Sequence, residues 1–359
     1  MAIAISQDIV TLYAPQSIAL DPEPTLVATR PTADSKATSV HRTRLAPSPT
    51  GALHLGNART FLVNWLLARQ SGWHIVLRID DLDGPRVKRG ADRDAIETLQ
   101  WLGLDWDDGP YYQSDTIENY SAALNQLASA GMIYPCRCTR TQIQQATLSA
   151  PHAGEHELRY PGTCRPEQIT PIKTSVWPAE QSSAEEPPAW RLRVEPGTQQ
   201  FHDEFCGIQT TDVAATIGDF LVATKQAVPS YQFAVVIDDH RQEVNCIVRG
   251  DDLMSSTGRQ LLVKQALGID SPCQYWHLPL IVGHDGRRLA KRHGDTRISH
   301  YQQLGVPPER ILGLLADWCG TGARTECTLT ELLQRFDLQR IPRDPIVFAA
   351  EDDAWLRGA

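Results

Sequence analysis

No apolar run in this 359-residue chain approaches the length that spans a bilayer. The first forty residues lack a basic stretch followed by an apolar block, so a secretory leader is not expected. With Asp8, Asp21 and Glu23 in it, that segment is also unlike an organelle transit peptide, and residues 1–40 are expected to form a disordered or loosely docked extension. Positive charge is not in excess either. The formal net charge is −9, which argues against non-specific coating of nucleic acid but leaves room for a local basic patch. The eight cysteines are scattered, and the i, i+2 pair Cys136 and Cys138 is poorly placed to bridge to itself. Metal binding or free thiols in a reducing cytosol are therefore expected ahead of a disulfide framework. Internal repeats are missing.

What the chain does have is 42% apolar residues, enough for sizeable cores, and a length that points to two or three domains. Its most informative stretch runs from Arg44 through Leu45, Ala46, Pro47, Ser48, Pro49, Thr50 and Gly51 to His54, Leu55, Gly56 and Asn57. A loop stiffened by proline and glycine there reaches the mouth of a helix, where unpaired N–H groups and the helix dipole favour phosphate. Gly56 would let a nucleotide approach the backbone, and His54 could donate to a phosphate oxygen or a ribose. Neither common glycine signature, Gly-x-Gly-x-x-Gly or Gly-x-x-x-x-Gly-Lys-Ser/Thr, is present in this loop.

Apolar residues at helical spacing predict a helix over 58–70 that ends near Gly72, followed by a buried strand from Trp73 to Ile79. Strand, helix and parallel strand make a βαβ unit of a doubly wound (Rossmann-type) parallel sheet, the expected α/β fold class. Further helices are expected near 91–102, 116–130, 308–318 and 328–337, and strands at Phe233–Ile237, Val244–Val248 and Trp276–Val282. The organisation expected is a first half of the catalytic sheet over 41–134, an inserted subdomain over 135–215 with a mobile loop at 170–190, and a second half over 216–298. A short helical stem over 299–340 and an irregular tail over 341–359 complete it. Within the insert, Cys136, Cys138 and Cys164 with one oxygen or nitrogen ligand would suit tetrahedral zinc. Tyr160, His152 and His156 are the candidates for the fourth position. Arg137, Arg140, Arg159 and Arg165 around them offer contacts for an RNA backbone.

His54-Leu55-Gly56-Asn57 resembles the HIGH signature of class I aminoacyl-tRNA synthetases, and its Arg-Leu-Ala-Pro-Ser-Pro-Thr-Gly context is similar to the glutamyl branch, with Asn57 in place of the last histidine. Arg288-Leu289-Ala290-Lys291-Arg292 resembles the KMSKS loop of that family, with Arg288 and Ala290 as departures. The resemblance implies adenylation: an amino-acid carboxylate attacks the α-phosphorus of ATP and pyrophosphate leaves. It implies an ATP site of Pro47, His54, Gly56, Asn57, Arg288, Leu289, Ala290, Lys291 and Arg292, with His54 and Lys291 catalytic and Mg2+ carried on the nucleotide. It implies glutamate held by Arg44, Leu45, Ala46, Pro47, Ser48, Asp80, Tyr231 and Arg249. A buried γ-carboxylate needs a cation such as an arginine fork, and an α-ammonium needs an acid such as Asp80. At Asp80 the family usually has glutamate, and the bland alternative is a strand-end carboxylate paired with Arg78 or Arg86. The knuckle Cys136-x-Cys138 and Tyr160-x-x-x-Cys164 is similar to the zinc knuckle of the glutamyl branch, implying one structural Zn2+ in an acceptor-type subdomain.

Only 67 residues follow Arg292, fewer than the anticodon-binding region of a full glutamyl-tRNA synthetase. The chain thus resembles the shortened branch that activates glutamate without tRNA and esterifies it to queuosine in the anticodon of tRNA(Asp). The partners implied are L-glutamate and queuosine-bearing tRNA(Asp), with no membrane and a monomeric cytoplasmic protein. A shortened synthetase charging tRNA(Glu) and a non-catalytic RNA-binding relative are the alternatives.

Overall fold

The computed structural model describes residues 40–82, 84–148, 158–173, 175–176, 187–289, 294–322 and 324–358. Residues 1–39 of the expected N-terminal extension and the centre of the 170–190 loop lie outside the described residues, as do His152 and His156.

Strands β1 (Arg42–Leu45), β2 (His74–Ile79) and β3 (Asp108–Tyr112) form a parallel sheet in that order, connected by helices α1 (Leu55–Ser71) and α2 (Ala91–Trp101). Helix α1 stops where Gly72 turns left-handed at φ 67° and its N–H bonds the Ala68 carbonyl. Its residues from Leu62 through Ala68 are all buried, so it is enclosed on every side rather than amphipathic. The main core, from Leu45 and Leu77 to Leu314 and Leu332, surrounds it.

Helix α3 (Ile117–Ser129) leads to β4 (Ile133–Cys136), which joins β5 (Ala189–Leu192) and β8 (Phe220–Ala223) in a separate antiparallel sheet. Helix α4 (Arg140–Leu148) and the short α5 (Val213–Thr216) belong to the same region. The hairpin β6 (Gln199–Asp203) and β7 (Gly207–Thr211) does not join that sheet. It pairs instead with β10 (Gln274–Leu278), itself parallel to β9 (Cys246–Gly250), in the order β7-β6-β10-β9. Phe201 and Asp203 point inward there while Gln200 and His202 face solvent, the alternation of a half-buried strand. Strands β1 and β9 run side by side. Asn245 N–H donates to the Arg42 carbonyl at 3.0 Å, and the Asn245 side-chain oxygen accepts from Arg42 N–H at 2.9 Å.

Two expectations are corrected. Phe233–Ile237 is not a strand but the interior of helix α6 (Tyr231–Arg241), which packs on α3 and on α7 (Met254–Leu267). A run buried from Phe233 to Asp239 carries no period that separates strand from helix. Nor is the segment after Pro342 irregular. Its β12 (Ile346–Val347) pairs in parallel with β11 (Ile281–Val282), and α11 (Ala350–Arg357) packs on α9 (Pro308–Asp317). Helices α8 (Ile298–Gln303) and α10 (Leu329–Arg335) complete this end, and Thr328 and Glu331 form a reciprocal capping box at the start of α10.

Candidate functional site

The loop after β1 ends at His54, which sits in extended backbone as the N-cap of α1. Its Nδ1 accepts from Gly56 N–H at 3.1 Å and from Asn57 N–H at 3.4 Å. The ring proton therefore resides on Nε2. Burial, reinforced by the Arg288 charge, brings the His54 pKa down to about 4, so near neutral pH the ring is uncharged and donates from one known atom. A Cβ on Gly56 would stand 3.0 Å from His54 Cε1. A side chain at position 56 would therefore crowd the imidazole, and the Gly56 and Asn57 N–H groups at the helix mouth are capped by His54.

The second signature is stitched to the first. Past β11 the chain turns at Gly283–Arg287. Leu289 then enters the core, with its N–H on the Ile281 carbonyl at 3.1 Å. Arg288 reaches Asp252 at 2.9 Å. Ala290, Lys291 and Arg292 lie outside the described residues. Beyond them the chain returns to the HIGH-like loop: Leu55 N–H donates to the Thr296 carbonyl at 3.0 Å and Ile298 N–H to the Leu53 carbonyl at 2.9 Å. Arg59, on α1, donates to the Pro279 carbonyl at 2.7 Å and ties the helix to the strand that launches the second loop.

Of the residues expected to grip an acidic amino acid, Arg44 and Arg249 are both buried, on the adjacent strands β1 and β9, and Arg44 NH1 donates to the Val248 carbonyl at 3.2 Å. Tyr231, at the start of α6 and 40% exposed, lies within electrostatic reach of Arg249, Asp80, Arg44 and Asp239. Asp80 follows β2, with its N–H on the Pro47 carbonyl at 3.1 Å. Its carboxylate takes the Nε of Arg78 at 2.7 Å, the pairing that the bland alternative anticipates. Leu45 is wholly in the core, so only its backbone can face a substrate, whereas Ser48 is exposed. Asp239, to which sequence reasoning assigns no role, bonds Arg78 at 2.7 Å and stands 3.6 Å from Arg44. Arg249 itself bonds three neutral groups: His277 Nε2 at 2.9 Å, Gln260 Oε1 at 2.9 Å and Thr257 Oγ1 at 2.8 Å. Among the described residues no carboxylate forms an ion pair with it. Polar residues inside the otherwise apolar β10, His277 above all, are the one signal that could have pointed to this set.

The knuckle residues also converge. The ligand atoms of Cys136, Cys138 and Cys164 lie within 4.8 Å of one another. Cys138 and Cys164 are 3.4 Å apart, and the Tyr160 hydroxyl is 3.6 Å from Cys136 and 3.9 Å from Cys138. With Zn–S bonds of about 2.3 Å, a tetrahedral site sets its sulfurs ~3.7 Å apart, so the donor set fits the ion. Burial, with the Cys164 contact, pushes the Cys138 thiol up to about 11. Arg191 stacks 3.7 Å over the Tyr160 ring and donates to Cys136 at 3.2 Å. Of the basic residues nearby, Arg165 is held by Asp219 at 3.0 Å and Glu195 at 3.3 Å.

A mixed α/β fold with parallel sheets, with a histidine-capped helix tied to a second, glycine-turned loop, defines a nucleotide-handling catalytic domain. The family model described as tRNA synthetases class I (E and Q), catalytic domain, matches residues 40–354, and the chain belongs to that family. It is 42% identical over 325 residues to a protein of Rhodopirellula baltica named Glutamyl-Q tRNA(Asp) synthetase, covering 85% of this chain and 95% of the relative. A relative of the same name from Symbiobacterium thermophilum is also 42% identical, with 88% of this chain and 98% of that one covered. Glutamate--tRNA ligase 2 of Syntrophus aciditrophicus is 37% identical, with 88% and 65% covered. Among solved structures, a glutamate tRNA ligase from Elizabethkingia meningosepticum in complex with its amino acid superposes with a TM-score of 0.70 at 25% identity, covering 88% of this chain and 68% of that one.

Proposed function

We propose that this chain is an ATP-dependent ligase that activates L-glutamate to glutamyl-adenylate without tRNA and transfers the glutamyl group to queuosine in the anticodon of tRNA(Asp). The observation that carries it is Arg249, a buried cation whose hydrogen-bond partners among the described residues are neutral side chains and which lies near Tyr231 and Arg44. An anionic side chain answers that charge, and a γ-carboxylate is the right size and geometry for an arginine fork. A glutamate α-carboxylate oxygen then attacks the α-phosphorus of ATP, the bond to pyrophosphate breaks, and charge builds on the phosphate oxygens. His54 Nε2–H donates there, and Lys291 stabilises the departing pyrophosphate. Mg2+ travels with the nucleotide. In the second step a queuosine hydroxyl attacks the activated carbonyl and AMP leaves. Cys136, Cys138, Cys164 and Tyr160 hold a structural Zn2+ that fixes the region flanking the catalytic sheet, where arginines meet the RNA backbone. The protein acts as a monomer in the cytoplasm. Among the described residues no helix is long and apolar enough to cross a membrane.

The relatives named Glutamyl-Q tRNA(Asp) synthetase, matched over 95% and 98% of their lengths, favour queuosine over the 3′ end of tRNA(Glu) as acceptor. Radiolabelled glutamate offered with queuosine-containing tRNA(Asp) or with tRNA(Glu) tests this. Label on tRNA(Asp) alone is expected; label only on tRNA(Glu) rejects the acceptor. Glutamate-dependent ATP–pyrophosphate exchange without tRNA separates an enzyme from a binding protein, which would give none.

A further inference from the structure

We propose that Asp203 and His277 form a buried carboxylate–imidazole relay that aims Arg249 and keeps its charge free for the substrate, making both of them positioning residues for amino-acid recognition. The relay deepens the glutamate-binding role of Arg249 and rests on it.

His277 and Asp203 are completely buried, on the neighbouring strands β10 and β6. Asp203 Oδ2 stands 2.6 Å from His277 Nδ1. The same carboxylate accepts three backbone N–H groups: Phe205 at 3.0 Å, Cys206 at 2.7 Å and His277 at 3.1 Å. An acceptor held in this way stays ionised, and its partner atom on the ring must carry the hydrogen. Nδ1 is therefore the donor and Nε2 the lone pair, which matches the Arg249 Nε–H that points at it from 2.9 Å. Thr257 Oγ1, 3.3 Å from the same nitrogen, closes the set.

The consequence is electrostatic. A carboxylate in direct contact with Arg249 would neutralise it and compete with any anionic ligand. An intervening neutral imidazole lets Asp203 polarise the acceptor that orients the guanidinium while leaving the cation uncompensated at short range. Arg249 uses three of the five N–H groups of a guanidinium on His277, Gln260 and Thr257. Two remain to grip a carboxylate. The hairpin from the 135–215 region lies at the edge of this sheet, and its strand β6, beside β10, carries the far end of the relay.

The test separates the two halves of the ring. In His277→Gln the amide oxygen can still accept from Arg249; in His277→Asn the side chain can still reach Asp203 but not Arg249. In glutamate-dependent ATP–pyrophosphate exchange, His277→Asn is expected to raise the KM for glutamate about tenfold or more with the KM for ATP unchanged, and His277→Gln to restore most of the loss. Equal KM values for glutamate in wild type and His277→Asn, or a parallel rise in the KM for ATP, would overturn the relay. Imidazole 15N shifts of the wild-type protein, which need neither substrate nor variants, should report a neutral ring protonated at Nδ1. The Nε2–H tautomer or a charged ring refutes the proposal even if every variant misfolds. Should the wild type show no glutamate-dependent exchange, the glutamate function fails, and the 15N result still decides the relay.

Discussion

His54 and Arg297 face each other across an antiparallel bridge, so the histidine of the first signature and the exit of the second loop share one piece of backbone structure. The Leu55–Thr296 and Ile298–Leu53 hydrogen bonds on either side, at 3.0 and 2.9 Å, hold the two segments together. The phosphate-binding site proposed for these two loops, so distant in sequence, would need such a fastening, because positioning carries much of the catalysis of phosphoryl chemistry.

His54 has two tasks that one substitution can separate. Asparagine is a good N-cap, so His54→Asn should keep the start of α1 while losing the Nε2 donor. Thermal stability is expected to change by no more than about 1 kcal/mol, while glutamate-dependent exchange falls on the order of 10²–10³. Melting curves alongside exchange rates check both.

The lowered pKa of His54 has a definite sign in pH dependence. Its folded pKa of about 4 lies below the ordinary value of 6.5, so protonation favours the unfolded chain. The associated stability is complete above pH 6.5 and is lost as pH falls toward 4, up to about 3 kcal/mol. Urea melts between pH 7 and pH 4 should show this slope, reduced in His54→Asn. Exchange activity should show no acid limb from this residue near pH 6.

Removing Arg249 and removing Asp80 should fail differently. Arg249→Gln is expected to raise the KM for glutamate by on the order of 10², with the protein still folded. Asp80→Asn leaves Arg78 with one fewer carboxylate in a buried site, and unfolding should show a loss of about 3 kcal/mol. A glutamate-specific effect of Asp80→Asn without destabilisation would show that the carboxylate serves the substrate more than Arg78.

One zinc per chain is expected by atomic absorption, lost in Cys164→Ser and on treatment with a strong chelator, with a lower melting temperature in both cases. Tyr160→Phe, which keeps the ring under Arg191, tests the fourth ligand: retention of zinc at wild-type affinity would remove the hydroxyl from the site.

Lys291→Ala should slow exchange while leaving the fold intact, as measured by single-turnover adenylate formation and circular dichroism. An unchanged rate would remove Lys291 from the chemistry.

How much of this was legible depended on sequence distance. The stretch from Arg44 to Asn57 is contiguous, so strand, loop, cap and helix could be read from local chemistry, as could the stop at Gly72 and the cysteine pair. The helix over Tyr231–Arg241 could not, because a run buried on all faces loses the alternation that separates strand from helix. The pairing of Ile346–Val347 with Ile281–Val282 was equally hidden, since a two-residue strand has no pattern of its own.

Local order therefore determined which candidate groups the chain carries: a histidine at a helix mouth, a basic loop after a buried strand, arginines at strand ends, thiols two apart. Tertiary structure alone decided their electrical state. Whether Arg249 is neutralised, which nitrogen of His277 carries a proton, and whether Asp80 faces substrate or Arg78 all depend on charges from separate strands meeting in the buried interior, where a contact of 3 Å outweighs anything that spacing along the chain can express.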